Sequence, residues 1–320
     1  MDFKVSVAMT TYNGEMFVID QLDSIRNQSL SPDEVIICDD GSTDDTVPKI
    51  SDYITRYSLI DKWQIIQNKI NLGFIENFCK AISLTTGKYV FLSDQDDIFY
   101  EKKFETMIKF MQEKQDCILL NAGFESIDEY GNRKNNVRNI LGFKRKSVRK
   151  LDFESWLYES SFPGFSMCLR DTLRNDLSKT NRTHCYGHDQ LIGLLALNRD
   201  GNYEINDILS GYRSHDKNVT GGKKLTEDFR ISTRIKQKEN EYREYVLLEN
   251  LIEDNLFNFE YKQAIEHRKK ILNRRISYLR HEKLIPLIKI AILSKAYPRR
   301  TIIGDILYLL KHKKMFNFLL

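Results

Sequence analysis

The apolar positions of the first hundred residues alternate between two periods. Lys4-Val-Ser-Val-Ala-Met-Thr predicts a strand that ends at Thr10-Thr11-Tyr12-Asn13-Gly14. Phe17, Val18, Leu22 and Ile25 then fall near helical spacing, predicting a helix from Glu15 to Gln28. Glu34-Val-Ile-Ile-Cys predicts a second strand, ending at Asp39-Asp40-Gly41-Ser42. Ser42, with Asp45 three residues on, resembles a capping pair for a helix through Ile50 and Ile54. Trp63-Gln-Ile-Ile is a third strand ending at Asn68, and Phe74, Phe78, Ala81 and Ile82 share one face of a helix from Phe74 to Thr86. Tyr89-Val-Phe-Leu is a fourth strand, ending at Ser93-Asp94-Gln95-Asp96-Asp97. Short apolar strands alternating with amphipathic helices build βαβ units and an α/β fold on a mainly parallel sheet. Ligands of such sheets sit outside the carboxyl ends of the strands, and the polar clusters fall at those ends.

The middle third is less regular. Ile118-Leu-Leu-Asn and Met167-Cys168-Leu169 predict strands, Asp128–Asn132 a turn, and the basic stretch Lys144–Lys150 a loop. Gly187-His188-Asp189-Gln190 opens an apolar helix, Leu191–Leu197. After Tyr212-Arg213-Ser214-His215 the chain reads as charged, amphipathic helix to its end. A boundary near Gly221-Gly222 gives two domains, 1–222 and 223–320.

Charge sharpens that division. The net charge is +4, yet residues 262–320 carry 15 Lys/Arg against Glu266, Glu282 and Asp305, while residues 1–261 sum to −8. No run of about 20 apolar residues exists, so the tail does not read as a spanning helix. Five cysteines, Cys38, Cys79, Cys117, Cys168 and Cys185, include no C-x-x-C pair, which argues against a zinc site or a disulfide framework. The N-terminus starts directly on a strand, and a cytoplasmic protein is expected.

Asp94-x-Asp96 places two carboxylates on one face of an extended strand end. Hard divalent cations take such oxygens together with substrate phosphates. A solvated acidic turn fits the same residues. An EF-hand loop does not, because Ile98 holds its fifth position. Asp39 or Asp40 suits a base N–H or a ribose hydroxyl, although Asp-Gly is also a common turn. In the first cluster Tyr12 suits a base, with Thr10 and Asn13 beside it. The G-x-G-x-x-G and G-x-x-x-x-G-K-[ST] signatures are absent, which counts against dinucleotide enzymes and ATPases.

In order and spacing, Val5-Ser-Val-Ala-Met-Thr-Thr-Tyr-Asn-Gly, Glu34-Val-Ile-Ile-Cys-Asp-Asp-Gly-Ser-Thr-Asp-Asp-Thr, Asn71-Leu-Gly-Phe and Phe91-Leu-Ser-Asp-Gln-Asp-Asp resemble family 2 glycosyltransferases of the GT-A fold over residues 3–97. The resemblance implies Thr10, Tyr12, Asp39 and Asp40 at the nucleoside, and Asn71 and Asn77 facing the donor site. It implies Asp94 at the ribose or sugar, and Asp96 on Mn²⁺ or Mg²⁺. The family's acceptor-activating carboxylate, in a Glu-Asp pair opening a helix, corresponds to Asp189, with His188 in place of the Glu. Phe162-Pro-Gly-Phe-Ser resembles the acceptor-side Gly-x-Ser/Thr segment. Tyr212-Arg-Ser-His-Asp-Lys-Asn218 resembles a segment of bacterial rhamnosyltransferase-like members, placing Arg213 and His215 at the pyrophosphate and His215 as a further metal ligand.

The expected activity is inverting transfer from dTDP-L-rhamnose or a UDP-hexose to a saccharide or lipid-linked saccharide acceptor in cell-surface polysaccharide synthesis. A non-catalytic nucleotide-sugar-binding or scaffold protein is the alternative. The basic tail fits either a helical subdomain with a solvated face or docking on an anionic membrane surface, placing the chain peripherally on the inner face of the cell membrane. No nucleic-acid-binding motif is present.

Overall fold

The computed structural model describes residues 3–134, 148–153, 162–180, 182, 187–215, 231–253, 261–293 and 299–312. By internal contact the chain forms two units: Met1–Lys179 with Gly187–His215, and Thr180–Tyr186 with Asp216–Leu320. The boundary expected after residue 222 lies outside the described residues, as do Cys185 and Asn218.

The first unit opens with β1 (Val5–Thr11), α1 (Val18–Arg26), β2 (Glu34–Asp39), α2 (Thr46–Arg56), β3 (Trp63–Gln67), α3 (Phe74–Leu84) and β4 (Tyr89–Ser93). It continues with β5 (Ile98–Phe99), α4 (Lys103–Glu113), β6 (Leu119–Ile127), β7 (Val148–Lys150), β8 (Met167–Arg170), α5 (Thr172–Lys179), α6 (His188–Asn198) and β9 (Asn202–Arg213). One sheet runs β3-β2-β1-β4-β8-β6-β9-β5, with β7 paired to β9. The β3-β2-β1-β4 half is parallel; β8 is antiparallel to both β4 and β6, and β6 runs parallel to β9. Every residue of β1, β2 and β4 is buried, as expected where helices cover both faces of a parallel sheet and strands become continuous apolar runs. Val18, Leu22 and Ile25 of α1 and Ile50 and Ile54 of α2 join Val7, Val35 and Phe91 in the core. Phe91 also stacks on Phe104 of α4, ring centroids 4.1 Å apart.

Four details depart from the sequence reading. The first helix starts at Val18, because the Gly14 carbonyl accepts from the N–H groups of Phe17 and Val18 and forms a turn first. Ser42 does not cap α2; its hydroxyl donates to Asp39 Oδ2 (2.5 Å) and the helix begins at Thr46. Residues 148–150, read as part of a loop, are strand β7, and the long strand β9 was not foreseen.

The second unit contains α7 (Ile231–Glu253), α8 (Lys262–Arg280), α9 (Leu284–Leu293) and α10 (Arg299–His312). Leu279, Leu287 and Leu309 form one buried cluster, with Ile231, Ile235, Tyr278, Leu284 and Ile306 packed around them, and Leu247, Leu251, Ile265 and Leu272 are buried on α7 and α8. Asp305, wholly buried, accepts from Nε of Arg234 and Nε of Arg275, both at 2.7 Å, and so joins α10 to α7 and α8.

Candidate active site

The polar ends of β1, β2 and β4 meet, as their parallel register requires: Thr11 pairs with Asp39, and Met9 with Ser93. Asp39 is consumed internally. Its carboxylate accepts from Thr11 Oγ1 (2.7 Å), Ser42 Oγ and the N–H groups of Gly41 (3.1 Å) and Ser42 (2.8 Å). Four bonds fill the acceptor sites of a carboxylate, so Asp39 shapes the loop. Asp40 accepts from Asn68 Nδ2 and from the N–H groups of Leu72 and Gly73, all at 2.8 Å. Asn71 donates to the Asp40 carbonyl (3.1 Å). Asn77 is buried, donating to the Cys38 carbonyl (2.8 Å) and accepting from Asn68 (2.9 Å). These residues brace the second and third strand-end loops. Thr10 is buried, whereas Tyr12 is 49% exposed and free to lie against a planar ring. Asn13 adopts φ 49°; its N–H donates to Ser42 Oγ (2.8 Å) and its Oδ1 accepts from the Thr43 N–H (2.9 Å).

Gln95, the middle residue of the acidic strand end, binds the backbone of Tyr12 twice. Its Oε1 accepts from the Tyr12 N–H (2.8 Å) and its Nε2 donates to the Tyr12 carbonyl (3.1 Å). The amide thereby copies a strand neighbour and ties the β4 end to the β1 end. A Cβ on Gly14 would stand 2.1 Å from Gln95 Oε1, so position 14 admits no side chain while Gln95 holds this pose.

Asp94 is half-buried beside Asp96 and Asp189. Desolvation first, then the negative charge of both neighbours, pushes its carboxyl up to about 8. Asp97, buried behind them, is driven well above the usual carboxylate range by burial and by Asp96 and Asp94. Its Oδ1 accepts from the Arg213 N–H (3.0 Å). Asp96 Oδ2 lies 2.7 Å from His215 Nε2. A carboxylate and an imidazole thus converge just past the ends of β4 and β9, where three acids crowd. The donor types suit Mn²⁺ or Mg²⁺ when diphosphate oxygens and water complete the shell. Among the described residues, no three His, Cys, Asp or Glu side chains are arranged to hold a metal by themselves.

Arg213 is 1% exposed and faces inward. It donates to the carbonyls of Asp96 (2.8 Å) and Glu129 and to Asp20 Oδ2 (2.9 Å), and it lies over the Phe17 ring. Phe17 also packs against the His215 ring, centroids 4.7 Å apart. The guanidinium therefore fixes the backbone of Asp96 from below.

Asp189 stands in the first turn of α6, half-buried, its Oδ1 accepting from the Gln190 N–H (2.8 Å). His188 points the other way. It stacks on Phe78 (3.8 Å, 17°) and meets Phe74 edge-on, and neither ring nitrogen has a hydrogen-bond partner among the described residues. Burial lowers its pKa against the opposing pull of Asp189, so the ring is neutral and brings no charge to its neighbour. Gly164 of the Phe162–Ser166 segment lies against this ring; a Cβ there would come 2.4 Å from His188 Nε2. The structure thus gathers Tyr12, Asp94, Asp96, Asp189 and His215 at the carboxyl edge, and uses Asp39, Asp40, Asn71, Asn77 and Arg213 as internal supports. The sequence pattern assigns no site role of their own to Phe17, Asp20, Gln95, Asp97 or Lys103. The buried Lys103 ammonium donates to Ser210 Oγ (2.7 Å) and to the Phe165 carbonyl beneath Asp97, and desolvation lowers its pKa to about 7.

The profile of Glycosyl transferase family 2 matches residues 6–175. A protein named as a glycosyltransferase, EpsE of Bacillus subtilis, is 28% identical over 196 residues, 51% of this chain and 70% of its own length. The dTDP-rhamnosyl transferase RfbG of Shigella flexneri is 27% identical over 224 residues, 67% of this chain and 73% of its own. Other relatives are matched over only 18% to 52% of their length. In fold, the chain resembles S. aureus TarS 1–349 in complex with UDP (TM-score 0.59, 17% identity, 98% of this chain and 91% of that one). It also resembles the mannosyltransferase PcManGT of Pyrobaculum calidifontis in complex with GDP-Man and Mn²⁺ (TM-score 0.57, 15% identity, 99% and 83%). The matched profile spans more than half of the chain, including β1 to β4 and their polar ends, and this chain belongs to glycosyltransferase family 2, an enzyme of the GT-A fold.

Proposed function

We propose that the chain transfers a hexosyl unit, with inversion, from a nucleoside diphosphate sugar to a saccharide acceptor of cell-surface polysaccharide synthesis. The observation that carries this reading is the convergence of Asp96 and His215 (2.7 Å) beside Asp94 and Asp189. Tyr12 lies along the base, and Thr10 and Asn13 hold the loop that carries it. Asp94 faces the ribose or the sugar. Asp96 and His215 hold a divalent cation, Mn²⁺ or Mg²⁺, which when bound offsets the charge of the departing diphosphate. Asp189 takes the proton of the acceptor hydroxyl as that oxygen attacks the anomeric carbon, and the diphosphate leaves from the opposite face. The donor is dTDP-L-rhamnose, with a UDP-hexose as the competing choice. The name of the Shigella relative supports the first, and the UDP-bound fold relative the second. The acceptor is carried on lipid and met at the anionic inner face of the membrane.

Calorimetry of donor binding with Mn²⁺ tests the metal pair. Asp96→Ala is expected to abolish the metal-dependent part of binding, and unchanged binding rejects the assignment. Nucleoside diphosphate release across dTDP-rhamnose, UDP-glucose and UDP-galactose identifies the donor.

A further inference from the structure

Helix α9 is out of keeping with a solvated surface. Eight of the ten residues in Leu284-Ile-Pro-Leu-Ile-Lys-Ile-Ala-Ile-Leu293 are Leu, Ile or Ala, yet among its described side chains only Leu287 is buried. A helix that is apolar around its circumference belongs in a core or in lipid. Ile285, on the side away from Leu287, is 68% exposed, and Ile288 is exposed one turn on. Helix α10 packs beside it and repeats the pattern: Ile302, Asp305 and Leu309 face inward, while Ile303 (48% exposed) and Leu307 face out. The neighbouring α8 is built the other way, with Ile265, Leu272 and Leu279 inward and Lys270, Arg274 and Arg280 exposed.

We infer that α9 and α10 form an in-plane docking face for an anionic lipid bilayer, with Ile285, Ile288, Ile303 and Leu307 entering the acyl boundary. Three observations select this occupant. Lys289 is exposed on the same side of the helix, one turn after Ile285, and Lys283 is exposed just before the helix, so cations flank the apolar patch. Residues 262–320 carry a net +12, which repels a second copy of the same surface and attracts acidic headgroups, at about 1 kcal/mol per cation near the surface. Ten residues span only about 15 Å, half of a hydrocarbon core, and no described helix is long and apolar enough to cross a membrane. The helices therefore lie on the bilayer. This inference deepens the membrane reading above and is independent of the transfer chemistry.

The test is co-sedimentation of the full chain with phosphatidylglycerol-containing vesicles and with pure phosphatidylcholine vesicles. Neither donor nor acceptor is present, so failure of the catalytic reading leaves the result intact. Binding is expected only to the anionic vesicles, weakening as salt rises. Ile285→Asp/Ile288→Asp and Ile303→Asp/Leu307→Asp should each reduce it at least about tenfold while circular dichroism and nucleotide binding stay unchanged. Lys283→Glu/Lys289→Glu, which leaves the apolar residues in place, should also reduce it. Equal binding to both vesicle types, or full binding by the variants, overturns the proposal. So does a dimer in light scattering that the Asp variants dissociate, because the face would then join two copies.

Discussion

At the residue scale the site separates into groups left available and groups already spent. Asp189 makes one described hydrogen bond, to the Gln190 N–H, and keeps acceptor capacity for a substrate proton. Asp189→Asn should lower kcat by about 10²–10⁴-fold, the usual worth of a general base, with donor affinity retained; undiminished turnover in a folded variant would remove the base assignment. Gln95 acts through Tyr12. Gln95→Ala deletes two hydrogen bonds worth about 1 kcal/mol each and should raise donor KM by up to about thirtyfold with kcat nearly constant. Gln95→Asn, whose amide is too short to reach, should behave like the alanine variant. A fall in kcat at unchanged KM would show that Gln95 touches the reaction itself.

At the element scale the sheet responds to what anchors its strands. Glu34, at the start of β2, accepts from Ser6 of β1, from Lys4 (3.0 Å), and from Thr86 and Gly87 before β4, so it joins three strands at the end remote from the site. Desolvation pushes its pKa up, but the hydrogen bonds from Ser6, Thr86 and Lys4 outweigh it and hold the carboxyl below its usual 4.5. A depressed pKa means that this stabilisation is present above the unfolded value and is lost as pH falls through the folded one. Glu34→Gln should cost about 1–3 kcal/mol at neutral pH and flatten the acid limb of the stability curve below about 4.5; urea titrations across pH read both. The strands β1 to β4 were legible because each is an unbroken apolar run ending in a polar cluster. Strand β9 was not, because Asn202, Glu204, Asn206 and Asp207 interrupt it. Two of those are made tolerable only by distant partners: Asn202 accepts from Asn121 (2.7 Å), and Glu204 pairs with Arg149 (2.7 Å). No local pattern announces such pairs. The acidic triplet and Asp189 were readable as chemistry, whereas the internal use of Asp39 and Asp40 depends on loop geometry that spacing does not encode. His188 was visible as a departure from the family pair, but its stack on Phe78 joins α6 to α3, a contact invisible in sequence.

At the scale of the whole molecule each unit buries apolar side chains of its own, around the sheet in the first and on the helices in the second. The helical unit is held in part by Asp305, which sits between Arg234 and Arg275 with both its own side chain and that of Arg275 wholly buried. Removing one partner of a buried ion pair strands the other, at about 3–5 kcal/mol. Asp305→Ala should therefore lower the unfolding midpoint of the helical unit while nucleotide binding persists in the protein that remains folded; thermal melts with and without donor separate the two. The order in which strands enter the sheet has a further effect, on timing during synthesis. Strand β9 is the last strand of the catalytic unit, yet it is inserted between β6 and β5, and it delivers His215 to Asp96 across 119 residues of chain. Domains emerging from the ribosome fold from the N-terminus onward. The loops after β1, β2 and β4 can close early, but an open edge on β6 must wait for β9, so the Asp96–His215 contact is the last part of the candidate site to form. A nascent chain halted before residue 213 is able to assemble the first four strands and still lacks the Asp96–His215 pair on which the proposed metal site rests.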